Sequence, residues 1–287
     1  MAGNKKFLKL LNYIPQHMLS HLAGWFAKQQ WGWLKNILIK LFIHYYAVDM
    51  KDAEYQDYRN YSSFNAFFTR HLKPNARPFG TADKHRVISP CDGSISELGY
   101  LKSDSILQAK GRNYTVKSLL GPIGDGLDSK RFTNGSFLTI YLSPKDYHRF
   151  HMPLSGKLLG MRYIPGNLFC VNPTAVNHVP DLFTRNERVV SLFETPCGQV
   201  GIIAVGAMLV GSIVTKWHGV VVPAKINQIK TWTYEKNIFL SQGDEIGYFK
   251  MGSTIIVLFP EKSIQWLPTL GANSTLKVGE PIGSLKF

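Results

Sequence analysis

Lys250-Met251-Gly252-Ser253-Thr254-Ile255-Ile256-Val257-Leu258-Phe259 decides how the second half of the chain is read. The apolar run Ile255 to Phe259 has a strand's length and a strand's preference for β-branched and aromatic side chains. Gly252-Ser253-Thr254 in front of it is the small, polar entry that strands commonly have. Working outward, the same texture begins at about Arg86. Val87 to Tyr100, Phe137 to Leu142, Lys157 to Ile164, Arg188 to Phe193 and Val200 to Thr215 read as strand regions, with Gly, Pro and Asp between them. Asn172 to Phe183 contains two prolines and reads as a loop or short helix. Gly121 to Gly126 lacks the spacing and the lysine of a phosphate-binding loop and reads as a plain loop.

Gly243-Asp244-Glu245-Ile246-Gly247 is echoed by Gly279-Glu280-Pro281-Ile282-Gly283. Both look like tight turns entering short strands, where glycine tolerates positive φ. Similar turns occur in the flattened β-sandwiches of biotinyl and lipoyl carriers, but the modifiable lysine in its hairpin is missing. The start of the chain has a different period. Leu34, Ile37, Leu38, Leu41, Phe42 and Tyr45 recur at three- and four-residue intervals, which predicts an amphipathic helix. A break is expected near Pro15, and Ser62 to Phe68 suggests another short helix that ends before Lys73-Pro74. The fold class is therefore α+β: a helical region over 1–70 and a β-rich sandwich or barrel over 71–287.

A chain of 287 residues with 45% hydrophobic and 18% charged side chains can bury one good-sized core. Its net charge of +14 favours an anionic partner, either nucleic acid or a lipid surface, and its 13% aromatic content suits both. No recognisable nucleic-acid-binding motif is present. Cys91, Cys170 and Cys197 are odd in number and form no CxxC pair, which argues against a disulfide framework and a thiolate zinc site and for a reducing environment. There is no secretory signal pattern, nor the run of roughly 20 apolar residues that a membrane-spanning helix needs. Trp25, Trp31 and Trp33, with Lys28, Lys35 and Lys40 nearby, match a helix lying in a membrane interface. They match equally a helix packed on the protein's own core.

Three segments set reactive side chains beside turn-forming residues. They are Ser89-Pro90-Cys91-Asp92-Gly93, Tyr147-His148-Arg149-Phe150-His151-Met152-Pro153 and Lys250-Met251-Gly252-Ser253-Thr254. Singly, each has a plain structural reading: Asp-Gly is a common turn pair, and Gly-Ser-Thr a common strand entry. His148 and His151 would be half a metal site, but no further ligand stands at a telling spacing, so no metal is expected. Together the segments hold a carboxylate, an imidazole and a hydroxyl, the components of an activated nucleophile. The Gly-x-Ser-x-Gly of α/β-hydrolases is missing here.

The chain resembles phosphatidylserine decarboxylases of the bacterial type over nearly its whole length. Phe64-Asn65-Ala66-Phe67-Phe68-Thr69-Arg70, Gln108-Ala109-Lys110-Gly111, Asn186-Glu187-Arg188-Val189, Tyr141 to Pro153 and Val205 to Ser212 all fit. Phe249-Lys250-Met251-Gly252-Ser253-Thr254 is the most telling segment, with Met251 where family members commonly have Leu.

The resemblance implies a proenzyme that cuts itself between Gly252 and Ser253 and converts Ser253 to a covalent pyruvoyl group. The products would be chains 1–252 and 253–287, which stay associated. It assigns His151 as the base that takes the Ser253 proton and Asp92 as the group that orients and stabilises its imidazolium. His148 is then the acid that protonates the carbanion left by decarboxylation, while the pyruvoyl at position 253 holds the substrate amine as a Schiff base. The implied substrate is the phospholipid phosphatidylserine and the product phosphatidylethanolamine. A lipid substrate also tips Trp25, Trp31 and Trp33 towards membrane contact, on anionic lipid at the cytoplasmic face of a bacterial cell membrane. A homodimer through the helical region is compatible with the pattern. Rival readings are a serine hydrolase that stays uncut, a non-catalytic basic protein, and a pyruvoyl decarboxylase of a soluble amino acid.

Overall fold

The strand predicted over Ile255 to Phe259 starts two residues earlier, at Ser253, and Ser253–Phe259 is buried at all seven of its residues, because it is paired along both edges. It runs antiparallel to Ser136–Leu142 on one side and to Gly198–Gly206 on the other. The computed structural model describes residues 24–77, 79, 85–122, 128–207, 212–221, 228–250 and 253–286. Around the Ser253 strand grows a nine-stranded sheet. Its order is Lys230–Trp232, Gly156–Ile164, Arg188–Thr195, Gly198–Gly206, Ser253–Phe259, Ser136–Leu142, Gly93–Tyr100 and Thr275–Leu276, and Phe239–Leu240 also pairs with Gly156–Ile164.

Both faces of this sheet are apolar, so both must be covered. On one face Ile255, Val257 and Phe259 meet Phe150, Ile213, Ile246, Phe249, Ile264 and Ile282, which come from two smaller sheets. One of these joins Arg86–Ile88, Pro281–Leu285 and Ile264–Trp266; the other joins Gly219–Val220, Ile213–Thr215, Glu245–Phe249 and Arg149–His151. On the other face Ile256 and Leu258 pack with Leu119, Val176 and Phe183 from short helices and with Ile106 and Tyr114 from a hairpin. The architecture is a β-sandwich with a thin helical cover.

Two predicted strand regions are divided. Val87 to Tyr100 breaks at Ser89-Pro90, where proline offers no ladder N–H, and Val200 to Thr215 leaves the large sheet after Gly206. Asn172 to Phe183 forms Pro173–His178 and the start of Leu182–Arg185. The two echoing turns have the expected positive φ at Gly243 and Gly279, and each leads into a strand. Pro15 and residues 123–127 of the glycine-rich loop lie outside the described residues.

Helix Gly32–Tyr46 turns Ile39 into a cluster with Val48, Tyr61, Phe67 and Phe68. Its opposite side stays uncovered, with Trp33, Ile37, Leu41 and Tyr45 exposed at four-residue spacing. It ends at Ala47 in the left-handed conformation, whose N–H bonds the Ile43 carbonyl. Helix Phe64–Phe68 starts where the Ser63 hydroxyl accepts from the Ala66 N–H at 3.1 Å. No helix among the described residues is long and apolar enough to cross a membrane.

Gly93 marks the tightest constraint in the large sheet. Its φ is +151°, and a Cβ there would collide with the Tyr141 carbonyl oxygen. Gly93→Ala is expected to cost about 1–3 kcal/mol through forced displacement of a central strand. Thermal unfolding should show this as a lowered Tm, whereas an unchanged Tm would contradict the register described.

Candidate active site

The reactive residues predicted from sequence gather at one end of the large sheet. Ser94 pairs with Tyr141, so the next step along the ladder sets Gly93 beside Leu142. Leu142 pairs with Ser253, and Ser253 in turn with Gly206. Asp92 therefore enters the row from one side, next to the strand end that leads to His148. Alternation along the strand puts the Ser253 side chain on the face of Ile255 and Val257. That is the face covered by Phe150 and Met152, the two neighbours of His151.

Ser253 is fully buried, and its Oγ has no hydrogen-bond partner among the described residues. Burying a hydroxyl without a partner is unfavourable. The hydroxyls of Tyr114, Ser136, Thr139 and Thr254 share that state, and Ser253 differs from them in standing at the head of its strand beside the expected cleavage point. Gly252, the other side of the expected cleavage point, lies outside the described residues.

His148 follows a turn closed by Asp146, whose carboxylate accepts from the Ser143 N–H and hydroxyl, both at 2.7 Å. The Asp146 carbonyl lies 2.8 Å from His148 Nδ1. A carbonyl only accepts, so Nδ1 carries the hydrogen and Nε2 is left with a bare lone pair. That Nε2 is buried without a partner. Phe68 of the N-terminal segment closes over the ring at 4.1 Å between centroids. Burial drives the His148 pKa down to about 3, against a smaller upward effect from its bond to the Asp146 carbonyl. The resting ring is neutral, with its Nε2 lone pair unprotonated.

His151 is pinned through its backbone N–H to the Pro90 carbonyl at 2.7 Å. Its Nδ1 donates to the Gly243 carbonyl at 2.8 Å, and its Nε2 accepts from the Tyr147 hydroxyl at 3.0 Å. Burial lowers its pKa, while the Gly243 carbonyl, Glu245 and Asp92 pull it back up. Asp92 is held by Arg77 at 2.9 Å and by the Val278 N–H at 2.8 Å. Arg77 also pairs with Asp52. Asp92 and His151 thus stand within reach of each other's charge, whereas the His151 ring turns to Tyr147, Phe79 and Gly243, and Asp92, His151 and Ser253 are not hydrogen bonded to one another. Asp92 acts on His151 through its field.

Beside them opens a polar cleft of about 190 Å³, lined by Arg70, Arg77, Asp92, Lys145, Asp146 and Tyr147 among others. Tyr147 and Arg77 were not singled out from the sequence. Tyr147 stands four residues before His151, the one local signal that was available. Among the described residues no cluster of three or more His, Cys, Asp or Glu is placed to hold a metal ion.

Fold and site define a β-sandwich protein with a desolvated serine at the head of its central strand. A family model described as Phosphatidylserine decarboxylase matches residues 64–284, and a second one, described as PSD, matches 7–47. The chain belongs to the phosphatidylserine decarboxylase family. It is 50% identical over 280 residues to a Coxiella burnetii protein named phosphatidylserine decarboxylase proenzyme, covering 97% of this chain and 98% of that one. Proteins of the same name from Saccharophagus degradans and Yersinia pestis are each 45% identical, over 282 and 278 residues. These alignments cover 98% and 95% of this chain, and 97% and 94% of the relatives.

The depressed His148 pKa carries a stability consequence. Below the ordinary value of 6.5 the unfolded chain binds a proton that the folded chain refuses until about pH 3. Stability contributed by keeping this ring neutral is complete above about pH 6.5 and falls as the solution is acidified. Between about pH 7 and pH 5 wild type should therefore lose Tm relative to His148→Gln, the raised Glu187 pKa acting in the opposite sense but equally in both proteins. Equal slopes for the two proteins would contradict the burial described.

Proposed function

We infer that the chain is a phosphatidylserine decarboxylase proenzyme that cuts itself before Ser253 and keeps a pyruvoyl group there. The observation that carries this reading is the Ser253 hydroxyl, buried, unpartnered and at the head of the central strand, in a chain of this family.

Self-cleavage needs a base near that hydroxyl. His151 Nε2 is a lone-pair acceptor, and it can serve once it exchanges the Tyr147 hydroxyl for that of Ser253. The serine oxygen attacks the Gly252 carbonyl and the amide becomes an ester, with the proton passing to the freed nitrogen. Elimination then breaks the Cβ–Oγ bond, leaving Gly252 as a carboxylate and a dehydroalanine at position 253. Its tautomer is hydrolysed by water, ammonia departs, and a ketone remains. Asp92, through its field on His151, favours the imidazolium that forms on the way.

When formed, the pyruvoyl group supplies the electron sink that loss of carbon dioxide from an α-amino acid requires. His148 is the acid that protonates the carbon left by loss of carbon dioxide: with its pKa near 3, a proton relayed onto Nε2 is given up readily. The adjoining cleft mixes Arg70, Arg77, Lys145 and Lys277 with Asp49, Asp52, Asp92 and Asp146. Arg77 and Lys277 pair with these acids, which leaves Arg70, whose Nη1 has no partner among the described residues, and Lys145 for a headgroup's phosphodiester or carboxylate.

The N-terminal segment supports a substrate drawn from a membrane. Trp25, Trp31 and Trp33 are all at least half exposed, Trp33 at 71% and Tyr45 at 79%. Large aromatic and aliphatic side chains left this open on a helix, in a chain of net charge +14, fit a helix lying on an anionic lipid surface.

Two experiments test these assignments. His148→Ala is expected to cut itself yet decarboxylate at least roughly 100-fold more slowly, and His151→Ala to stay one chain. Identical behaviour of the two would refute the division of labour. A variant with Trp25, Trp31 and Trp33 changed to Ser should lose flotation with anionic liposomes while keeping its Tm. Undiminished flotation would remove the membrane assignment.

A further inference from the structure

Asn186-Glu187-Arg188-Val189 has no part in the chemistry above, yet it carries a buried acid at the same end of the sheet as Ser253. Glu187 is 6% exposed, and its carboxylate has neither a hydrogen bond nor an ion pair among the described residues. The neighbouring Arg188 does not neutralise it. Arg188 turns to the other face and donates to the carbonyls of Ser118, Leu119, Thr184 and Asn186.

The register sets where Glu187 stands. Arg188 pairs with Val205, so Glu187 is opposite Gly206, and Gly206 is opposite Ser253. On the Arg188 strand, Val189 and Phe193 belong to the face of Ile255 and Val257, while Val190 and Leu192 belong to the other. Alternation therefore puts the Glu187 and Ser253 side chains on one face, with only a glycine between them.

The Gly206 backbone shows which way the Ser253 α-hydrogen points. Its N–H donates to the Glu187 carbonyl at 2.8 Å, and its carbonyl accepts from the Asn186 side chain at 2.9 Å. Both polar groups of Gly206 thus face away from Ser253. The Ser253–Gly206 pair is then the narrow kind, with Cα atoms about 4.5 Å apart and their α-hydrogens facing each other. Adding the wider Gly206–Glu187 pair, at about 5.5 Å, sets the two outer Cα atoms roughly 10 Å apart. Side chains stand off the sheet, so the Glu187 carboxylate has to arch over Gly206, which has no side chain to block that path, and residue 253 has to turn its α-hydrogen up towards that face once the ester has freed its nitrogen.

We propose that Glu187 is the base of the elimination half of self-cleavage, removing the α-hydrogen of residue 253 once the ester has formed. Its carboxylate takes that hydrogen as a proton. The Cα–H electron pair becomes the Cα=Cβ bond, and the Cβ–Oγ pair leaves on oxygen as the new Gly252 carboxylate. The proton held on Glu187 then passes to Cβ in the tautomerisation, which restores the carboxylate. Burial raises the Glu187 pKa to about 7, so near neutrality the group can both accept a proton and release it. The ionisable side chain facing it is Tyr163, on the adjacent strand, whose own pKa is raised by burial and by Glu187. On the Gly206 strand the same face offers only Ala204 and Gly206.

This proposal rests on the self-cleavage reading, and the test separates the two. Full-length wild type and Glu187→Gln are incubated near neutral pH, treated with hydroxylamine and weighed under denaturing conditions. Glu187→Gln should mature about 100-fold or more slowly. Hydroxylamine should split it into 1–252 and a 253–287 fragment that begins with an intact serine, the mark of a stalled ester. Glu187→Asp should restore part of the maturation rate with a displaced pH profile. If Glu187→Gln matures at the wild-type rate, or stays whole and resists hydroxylamine, Glu187 is not the elimination base. Wild type that never matures at Ser253 would instead refute the reading beneath it.

Discussion

The site depends on one constraint: the strand Ser253–Phe259 is paired on both edges and covered on both faces, so its first side chain is cut off from water. Ser253 and Thr254 bring hydroxyls to the two covered faces and leave both without a partner among the described residues, and Ser253 is the one on the face shared with Phe150 and Phe249. An unsatisfied buried hydroxyl costs free energy, of order 1–3 kcal/mol. The fold retains it because the sheet around it is large enough to bear that cost. The same pairing on both edges holds the Ser253 backbone itself in place.

The histidines are positioned by backbone groups that belong to other parts of the chain. Asp146 and Gly243 offer carbonyls to Nδ1 of His148 and His151, which determines the tautomer of each ring. The N-terminal segment completes the enclosure. Arg149, between the two histidines, donates to the Thr69 carbonyl at 3.0 and 2.8 Å and pairs with Glu245. Arg70 reaches the Lys145 carbonyl, and Phe68 covers His148. The depressed pKa of His148 thus depends on the segment whose far side exposes Trp33, Leu41 and Tyr45. A membrane holding that far side would be mechanically close to the site.

Much of this was legible in the sequence wherever the determinant was local. The strand Ser253–Phe259, the Ser63-capped helix and the Gly243 and Gly279 turns follow from adjacent residues and were read within a residue or two. Asp92, His148, His151 and Ser253 stood out because each sits in a run of turn-forming or reactive residues. The bonds that set their states did not stand out. Gly243 meets His151 from 92 positions away, and Val278 meets Asp92 from 186. Such pairings are products of sheet register, which periodicity does not encode. Glu187 is the clearest case, since its motif was visible but its closeness to Ser253 exists only through two strand pairings. The aromatic face of the first helix also needed the structure, because the sequence pattern fitted burial and exposure equally well.

The central claim is that Ser253 is consumed to make the catalytic group, and the denaturing intact mass of the purified protein tests it most directly. The account predicts two polypeptides, one ending at Gly252 and one starting at position 253 with a ketone where an amine would stand, and a single uncut chain for Ser253→Ala. A wild-type chain that remains whole on long incubation, with Ser253 unmodified, would contradict it.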